Sequence, residues 1–502
     1  MGNQYIEAAR DYHEITKHSY TSVRSSAYRL DWDNRPAPYK IYPTAGALAL
    51  PRELELSAIP ALAAIAASSR DNAALGLEAL TRVLFCTGGL TRSKQVGGED
   101  YHFRAAASAG ALYPVEMYVA AGDVPGLEPA LYHFSPADLK LRGLRRGDFR
   151  AMLSRAAASR RSIAQARAVI ILTSIFWRSA WKYHARAYRY CFWDAGTMIA
   201  NLLAAAGAEQ FGAEIVTAFE DPQVESLLGL DLDREGAVAL IALGAGASGS
   251  SESPVLEPFP FESIALSPSE VSYDPIVKFH RESRLVTGAE VLEIADATVT
   301  APEPRRDLIR FEAPAPGDAM GLGETVLRRG STRQFAQAPI RGGELQAILA
   351  AARAHPRADF PSLIDTYLIV NAVEGLAPGA YFYDQIGDGF ELIKAGEFRG
   401  EAGYLCLEQP LGRDCSALIV YMTDLERALA ALGNRGYRDA HLEAGIHGGR
   451  AYLGAYALGR GATGLTFYDD DTTKFFDPHA AGKSPILMVA IGVPHTRAAD
   501  EA

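Results

Sequence analysis

The sequence predicts two similar α+β domains in one chain, facing each other as the subunits of a two-fold dimer do. The main observation is an internal repeat, in which residues 168–221 align without a gap with residues 417–470 at a constant offset of 249 (417 − 168). Each copy opens with an apolar run of strand length, AVIILTS or ALIVYMT, and continues into a long Ala-rich segment typical of a buried helix. A repeat of about 250 residues indicates a duplicated domain rather than a solenoid.

The repeat keeps individual side chains as well as the pattern. The recurring residues are Arg186, Tyr188, Arg189, Ala195 and Gly196 in the first copy and Arg435, Tyr437, Arg438, Ala444 and Gly445 in the second. Each copy later returns to a strand that ends in Gly, VALIALG at 238–244 and ILMVAIG at 486–492. Gly/Ser-rich and Pro-rich stretches bound a linker region over 246–306, part of which we expect to pack on the surface. We therefore predict a first domain over 1–245 and a second over 307–502.

Composition and charge exclude several classes of protein. The 502 residues are 48% hydrophobic and 22% charged, as in ordinary globular proteins. No stretch approaches 18 consecutive apolar residues and the first residues lack a signal-peptide pattern, so we expect a cytoplasmic protein without a membrane span. The net charge of −11 repels phosphate backbones, so nucleic acid is not an expected partner. No metal site is expected, because zinc spacing is absent among Cys86, Cys191, Cys406 and Cys415, which are interpreted as reduced thiols.

The two copies differ first at a basic motif. The second copy contains VLRRGSTRQF, in which Arg329, Ser331 and Arg333 alternate two guanidinium groups with a hydroxyl just before a helical stretch. Arginine binds phosphate bidentately and a helix start adds backbone N–H donors, although a solvated basic turn would have the same composition. The matching part of the first copy keeps only Ser69 and Arg70, so a phosphate site there is expected to be weak.

The second difference is a run of small residues in the first copy. The segment HFRAAASAGALYPVEMYV contains Ser108, Ala109 and Gly110, whose small side chains let the backbone approach a flat ligand closely. An ordinary tight turn entering a strand is the alternative interpretation. The second copy has ADFPSLIDTYLIV at this place and lacks the run.

The third difference is the pair Lys182-Tyr183, which replaces Ala431-Leu432 of the second copy and on its own is also compatible with an exposed helix start. Together the three segments resemble the SagB-type azoline dehydrogenases, the nitroreductase-superfamily oxidases of thiazole/oxazole-modified peptide biosynthesis. RRGSTRQF resembles the superfamily's flavin-phosphate motif, and RAAASAGALYPVE resembles the SagB-type signature, with Ala107 where a Pro is usual. WKYHARAYRY resembles the segment that carries that family's Lys-Tyr catalytic pair.

The resemblance extends beyond these motifs. YHEITKH at 12–18 resembles the opening of the SagB-type family. About residues 10–245 resemble a SagB-type domain, and about residues 308–497 resemble a second, more diverged nitroreductase-like domain. The fold that this implies is two fused nitroreductase-like α+β domains forming an intramolecular pseudo-dimer, with FMN bound where they meet.

The resemblance also implies which residues hold FMN. The implied cofactor residues are Arg329, Ser331 and Arg333 at the phosphate, Arg104, Ser108, Ala109 and Gly110 of the first half, and Thr463 and Gly464, whose loop carries the backbone N–H near flavin N5. Ile215 of the first half stands opposite Gly464 in the repeat. We therefore expect one intact flavin site and one degenerate site.

The implied reaction is FMN-dependent oxidation of a peptide thiazoline or oxazoline to the thiazole or oxazole. Lys182 is the expected base that removes the Cα proton, and Tyr183 is expected to orient the substrate or share the proton transfer. A neutral amine near neutral pH requires that the lysine pKa, ordinarily about 10.4, falls to about 7. Arg178 and Arg186, each four residues from Lys182, are expected to supply the repulsion if the stretch is helical.

The resemblance implies a modified precursor peptide as substrate and a cyclodehydratase as partner, and it leaves further homo-oligomerisation open. WDAGTMIANLL replaces the family's usual Gly-His-containing helix start, which leaves the substrate itself open. One alternative is an NAD(P)H-dependent reductase of nitro compounds, quinones or enones. The other is a non-catalytic flavin- or peptide-binding partner in a biosynthetic complex.

Overall fold

The computed structural model describes residues 2–67, 75–96, 99–246, 252–299, 305 and 307–495. Ser69 and Arg70, the expected weak phosphate residues of the first copy, lie outside this part of the chain. In chain order the helices are α1 (Glu7–Ile15), α2 (Tyr20–Arg24), α3 (Ala61–Ala66), α4 (Leu77–Gly88), α5 (Arg150–Ala156), α6 (Arg161–Gln165), α7 (Phe176–Tyr183), α8 (Ala187–Ala208), α9 (Asp221–Leu228), α10 (Asp274–Glu282), α11 (Gly288–Ala295), α12 (Leu322–Arg328), α13 (Gly342–Arg353), α14 (Arg399–Leu405), α15 (Pro410–Asp414), α16 (Leu425–Leu432), α17 (Asn434–Ala457) and α18 (Asp469–Phe475). The strands are β1 (Ala47–Ala49), β2 (Leu90–Val96), β3 (Glu99–Arg104), β4 (Val115–Ala121), β5 (Ala130–Ser135), β6 (Lys140–Arg146), β7 (Ala166–Ile175), β8 (Ala213–Val216), β9 (Glu235–Ala245), β10 (Ile340–Arg341), β11 (Asp365–Val370), β12 (Val373–Glu374), β13 (Gly379–Asp384), β14 (Gly389–Ala395), β15 (Ala417–Thr423), β16 (Gly461–Leu465) and β17 (Ser484–Gly492).

The two halves contain antiparallel sheets with the same strand order. The first sheet runs β1-β6-β5-β4-β7-β9-β8 and the second runs β14-β13-β11-β15-β17-β16. Apart from the short edge strand β1, each strand of one sheet has a counterpart at the same position in the other. The two strands predicted from AVIILTS and ALIVYMT are the inner strands β7 and β15, which are almost wholly buried because helices cover them. The prediction of two fused α+β domains forming a pseudo-dimer is confirmed.

The two long repeat helices, α8 and α17, pack against each other between the sheets. They cross at Gly196 and Gly445, which recur at the repeat offset. A Cβ atom on Gly196 would lie 2.4 Å from the carbonyl oxygen of Leu442, and one on Gly445 would lie 2.4 Å from the carbonyl oxygen of Trp193. Such distances are shorter than van der Waals contact with backbone that cannot move aside. Both helices therefore need Gly at the crossing.

The recurring arginines connect each half to the other through buried ion pairs. The pairs are Arg186 and Arg189 of the first half with Asp469 of the second, and Arg435 and Arg438 of the second half with Asp221 of the first. Each half thus makes the same contact with its counterpart, as in an isologous dimer interface. Removing one partner of such a pair leaves a buried charge uncompensated, which is strongly destabilising.

In the described part of the predicted linker region, helices α10 and α11 are formed, and α10 packs at the junction of the halves. Its residues Ile276, Phe279 and His280 are buried. The Phe279 ring stacks on Tyr12 with ring centroids 4.9 Å apart. His280 Nδ1 lies 3.0 Å from the hydroxyl of Tyr188 in α8. This part of the region therefore contributes to the core beside the helix crossing.

The expectations from composition concerned the cysteines, membrane-spanning helices and metal sites. All four cysteines are buried free thiols. Over the described residues, no helix is long and apolar enough to cross a membrane. Three or more His, Cys, Asp or Glu side chains that could jointly hold a metal ion are not found together within the same part of the chain.

Replacing Gly445 by Ala should destabilise the protein, because the added methyl group overlaps backbone atoms of α8. We expect the free energy of unfolding, measured by urea denaturation, to fall by about 1–3 kcal/mol. Gly454→Ala is the matched control in the same helix, where a Cβ atom would meet its nearest neighbours at 3.5 Å or more. The control should be neutral or stabilise by up to about 1 kcal/mol, since Ala is the better helix former. Equal effects of the two substitutions would contradict a close crossing.

Candidate active site

A cavity of about 780 Å³ opens where the two halves meet. This volume suits a cofactor or small substrate, for which pockets typically measure about 300–1,000 Å³. The cavity is lined by every predicted site residue except Arg104, namely Ser108, Ala109, Gly110, Lys182, Tyr183, Arg329, Ser331, Arg333, Thr463 and Gly464. Residues predicted from separate motifs in both halves therefore meet at one place.

Arg104, the exception, lies behind the cavity wall. Its guanidinium group is buried, donates a hydrogen bond to the carbonyl oxygen of Pro38 and lies 5.0 Å from the centre of the Tyr113 ring. The structure thus does not bring Arg104 to the cavity with the other predicted residues, because its guanidinium group is held by Pro38 and Tyr113.

The small-residue turn adopts a strained backbone against the Lys-Tyr pair. Gly110 has φ +64°, and the neighbouring Ala111 has φ +54°, in the left-handed region that favours glycine. A Cβ atom on Gly110 would lie 2.8 Å from the Tyr183 hydroxyl and 3.3 Å from Lys182 Nζ. Gly at this position therefore brings the backbone close to both predicted catalytic side chains.

Asp194 in α8 holds this turn in place and was missed by the sequence analysis. Its carboxylate accepts hydrogen bonds from Ser108 Oγ at 2.5 Å and from the Ala109 backbone N–H at 3.1 Å. The repeat could have identified Asp194, because another acidic residue, Glu443, lies at the offset of 249 (443 − 194). Glu443 likewise accepts hydrogen bonds from the backbone N–H of Leu363 at 2.7 Å.

The Asp194 carboxyl keeps its proton to a higher pH than a free aspartate does. Burial raises its pKa to about 7, and the hydrogen bonds from Ser108 and Ala109 oppose this rise. It is the only acidic side chain in the wall of a cavity whose described lining otherwise carries several Arg and Lys groups.

Lys182 and Tyr183 end helix α7 at the cavity wall. Burial lowers the pKa of Lys182, and the Arg333 guanidinium of the second half lowers it further. Burial raises the pKa of Tyr183 well above its usual range, so this phenol stays protonated. The Tyr183 ring stacks on Tyr190 with ring centroids 4.3 Å apart. The pair therefore combines an amine that loses its proton more easily than usual with a hydroxyl that keeps its own.

The expected source of the lysine pKa shift was wrong. Arg178 forms a buried ion pair with Glu116, and Arg186 pairs with Asp469. Both guanidinium groups thus face buried carboxylates, and the pKa of Lys182 responds to neither of them. The cation that acts on Lys182 is Arg333, which lies 151 residues further along the chain (333 − 182).

On the opposite wall, Tyr452 of α17 joins two of the predicted cofactor segments. Its hydroxyl lies 3.4 Å from Ser331 Oγ and accepts a hydrogen bond from the backbone N–H of Gly464. Thr463 beside it is buried. The Gly464 N–H, expected to face flavin N5, therefore has a phenol oxygen as its partner in this structure.

The pseudo-equivalent place on the other side of the helix crossing is filled by protein. Ile215, the counterpart of Gly464, donates its N–H to the carbonyl oxygen of Arg357 at 2.8 Å, and its carbonyl oxygen accepts from the Asp359 N–H at 3.2 Å. Asp359 Oδ1 in turn accepts from the Thr217 N–H at 2.8 Å. A neighbouring cavity lined by Glu214 and Arg357 measures about 140 Å³. Chain from the second half thus occupies the space that a second ligand would need.

The side chains of the larger cavity fit FMN. Trp193, which is only 4% exposed, lines the cavity, and its indole N–H has no hydrogen-bond partner among the described residues, as expected of a donor that meets an acceptor on a ligand. Arg92, Lys94, Arg328 and Arg333 also line the cavity and provide positive charge for a phosphate. The small-residue turn leaves space for a flat ring. Volume, charge and the unpartnered donor all agree with a flat anionic cofactor.

We expect the stability contribution of Asp194 to fall as the pH rises from about 4 to about 7. Its folded-state pKa of about 7 lies above the unfolded value of about 3.9, so the unfolded chain loses this proton first. The stabilisation that comes from the raised pKa is therefore complete below about pH 4, decreases up to about pH 7 and does not change further at higher pH. The free energy of unfolding is measured from pH 4 to 8 for wild type and Asp194→Asn. The value for the wild type minus that for Asp194→Asn should decrease as the pH rises from about 4 to about 7. A difference that is independent of pH would contradict the raised pKa.

The chain is similar to known proteins over both of its halves. The model of the nitroreductase family matches residues 70–245 and 326–493. A nitroreductase-like protein of Anabaena variabilis, known from a crystal structure, is 27% identical over 97% of this chain and 99% of its own, with a TM-score of 0.78. A nitroreductase-like protein of Methanocaldococcus jannaschii is 29% identical over 154 residues, which cover 31% of this chain and 74% of that protein.

A chain of the Escherichia coli microcin synthetase McbBCD complex, solved with a truncated precursor bound, is 17% identical over 49% of this chain, with a TM-score of 0.31. A TM-score this low supports no statement about function. The family match, by contrast, covers more than half of the chain and falls on both halves of the fold. The chain therefore belongs to the nitroreductase family.

Proposed function

We propose that this protein is an FMN-dependent dehydrogenase of the SagB type, which oxidises peptide thiazolines or oxazolines to thiazoles or oxazoles. The observation that carries the proposal is the position of Lys182 and Tyr183 together in the wall of the shared cavity, against Gly110 of the small-residue turn. The lowered pKa of Lys182 supports a role as base.

Residues of both halves would hold the cofactor. Ser331 and Arg333 come from the second half, and the turn at Ser108 comes from the first. Trp193 offers the unpartnered indole N–H, and Gly464 offers a backbone N–H once its bond to Tyr452 is exchanged. Bound FMN supplies the acceptor for the two electrons and the second hydrogen that leave the azoline ring, since side chains offer no such acceptor.

The side chains of the chain itself supply the proton chemistry. Lys182 in its neutral form takes the proton from the substrate Cα. Desolvation and the Arg333 guanidinium both destabilise the ammonium form, which increases the fraction of neutral amine at a given pH. The protonated Tyr183 hydroxyl donates a hydrogen bond to a heteroatom of the substrate and so orients it. Asp194 keeps the turn that forms the facing wall in place.

The Lys-Tyr pair favours dehydrogenation over the alternative of a nitro, quinone or enone reductase, because such a reductase needs no base to remove a carbon-bound proton. The peptide nature of the substrate and a cyclodehydratase partner are supported by the sequence resemblance to the SagB-type family. A cytoplasmic location is part of the same proposal.

Lys182→Ala in the FMN-loaded protein should lower kcat for a thiazoline peptide by about 10²- to 10⁴-fold, because general-base help of that size is lost. FMN content should remain unchanged. Lys182→Arg is the matched control that keeps the positive charge but provides no base, and it should be equally impaired. Tyr183→Phe keeps the ring and should lose less activity.

The pH dependence tests the same assignment. The wild-type rate should rise with pH as Lys182 loses its proton, with the inflection below the ordinary lysine pKa of about 10.4. Arg333→Gln should move this inflection upward. A wild-type protein that binds FMN but leaves azolines unoxidised while reducing nitro compounds or quinones with NAD(P)H would overturn the proposal.

A further inference from the structure

Arg329, the first arginine of the predicted phosphate motif, has almost no hydrogen-bonding capacity left for a ligand. Its buried guanidinium group donates to the carbonyl oxygens of Arg104 at 2.6 Å, Ala105 at 2.7 Å and Ala106 at 3.2 Å, and to that of Gly330 at 3.3 Å. A guanidinium group has five N–H donors, so four are committed to backbone. Because three of these acceptors belong to the first half, Arg329 joins the halves beside the small-residue turn.

A different arginine lies at the motif with its charge available. Arg92 of β2 is exposed, and its Nη2 lies 3.8 Å from the position that a Cβ atom on Gly330 would occupy. Its guanidinium group lies over the Phe103 ring, 4.6 Å from the ring centre, and both side chains line the cavity. No carboxylate pairs with Arg92 among the described residues.

The other exposed or part-buried arginines beside the motif are placed differently. Arg328 forms an ion pair with Glu324 at 2.6 Å. Arg333 faces Lys182 and Tyr183, whose electrostatics it influences. Over the part of the chain that the structure describes, Arg92 is therefore the arginine beside Gly330 that is neither bonded to backbone, nor paired with an acid, nor placed at the catalytic pair.

We propose that Arg92, on the β2–β3 hairpin of the first half, is the arginine that binds the cofactor phosphate, and that Arg329 is a positioning residue that joins the two halves. This inference rests on the FMN-binding part of the proposed function. Among the described residues, the large sheet of the second half has no companion hairpin at the matching place, where the chain before β11 instead contacts Ile215. The phosphate site is thus composite, with a guanidinium from one half beside a hydroxyl and backbone from the other.

The test compares FMN with riboflavin, which lacks the phosphate. Cofactor-free full-length protein is titrated with each flavin, and the dissociation constants are measured by flavin fluorescence for wild type, Arg92→Gln, Arg92→Lys and Ser93→Gln. Ser93 is the matched control, because it lies on the same strand with its side chain on the opposite face of the hairpin. We expect Arg92→Gln to raise the dissociation constant of FMN by about ten- to a hundredfold and to leave that of riboflavin unchanged. Arg92→Lys should recover part of the loss, and Ser93→Gln should match the wild type.

Arg329→Gln provides the second arm, with thermal unfolding as an independent readout. We expect this substitution to lower the unfolding temperature and to raise the dissociation constants of FMN and riboflavin by the same factor. Loss of FMN selectivity in a well-folded Arg329→Gln, or equal FMN affinity of Arg92→Gln and wild type, would overturn the inference. Failure of wild type to bind either flavin would overturn the FMN proposal as well, whereas tight FMN binding without azoline oxidation would overturn only the proposed reaction.

Discussion

The close crossing of α8 and α17 at Gly196 and Gly445 is the constraint on which the rest of the structure depends. It sets how near the two halves approach, and the buried Arg–Asp pairs on either side of it fix their relative orientation. The same helices carry Asp194 and Tyr452 into the cavity wall. The dimensions of the site are therefore determined by a backbone contact that no side chain can replace.

Duplication supplies two related places for a ligand, and the chain keeps one of them. Asp194 and Glu443 occupy equivalent positions in the repeat. Each accepts a backbone hydrogen bond from the segment that leads into an inner strand of its own half, β4 for Asp194 and β11 for Glu443. In the first half that segment is a small-residue turn that leaves the cavity open. In the second half it reaches across to Ile215 and occupies the corresponding space. The asymmetry thus arises from the lengths and sequences of two loops on a common framework, and it frees each half to supply different groups to a single site.

The sequence predicted the fold and most of the site wall, because both leave local signals. The offset of 249 revealed the duplicated sheets, and the motifs around Ser331, Gly110 and Lys182 each mark a segment that reaches the cavity. Contacts between distant residues left no such signal. The bonds of Arg329 to carbonyl oxygens more than 220 residues away, and the action of Arg333 on Lys182, depend on how the halves dock. Asp194 could have been found from its counterpart in the repeat, since both positions are acidic.

We propose that the two halves form one composite flavin site and that the second place is closed. The most direct test is the amount of FMN per chain, determined from the absorbance of protein reconstituted with excess FMN and freed of unbound flavin. We expect one FMN per chain. Two per chain would contradict it, because residues 357–359 could not then fill the second place, and none would contradict the assignment of the cavity to a flavin.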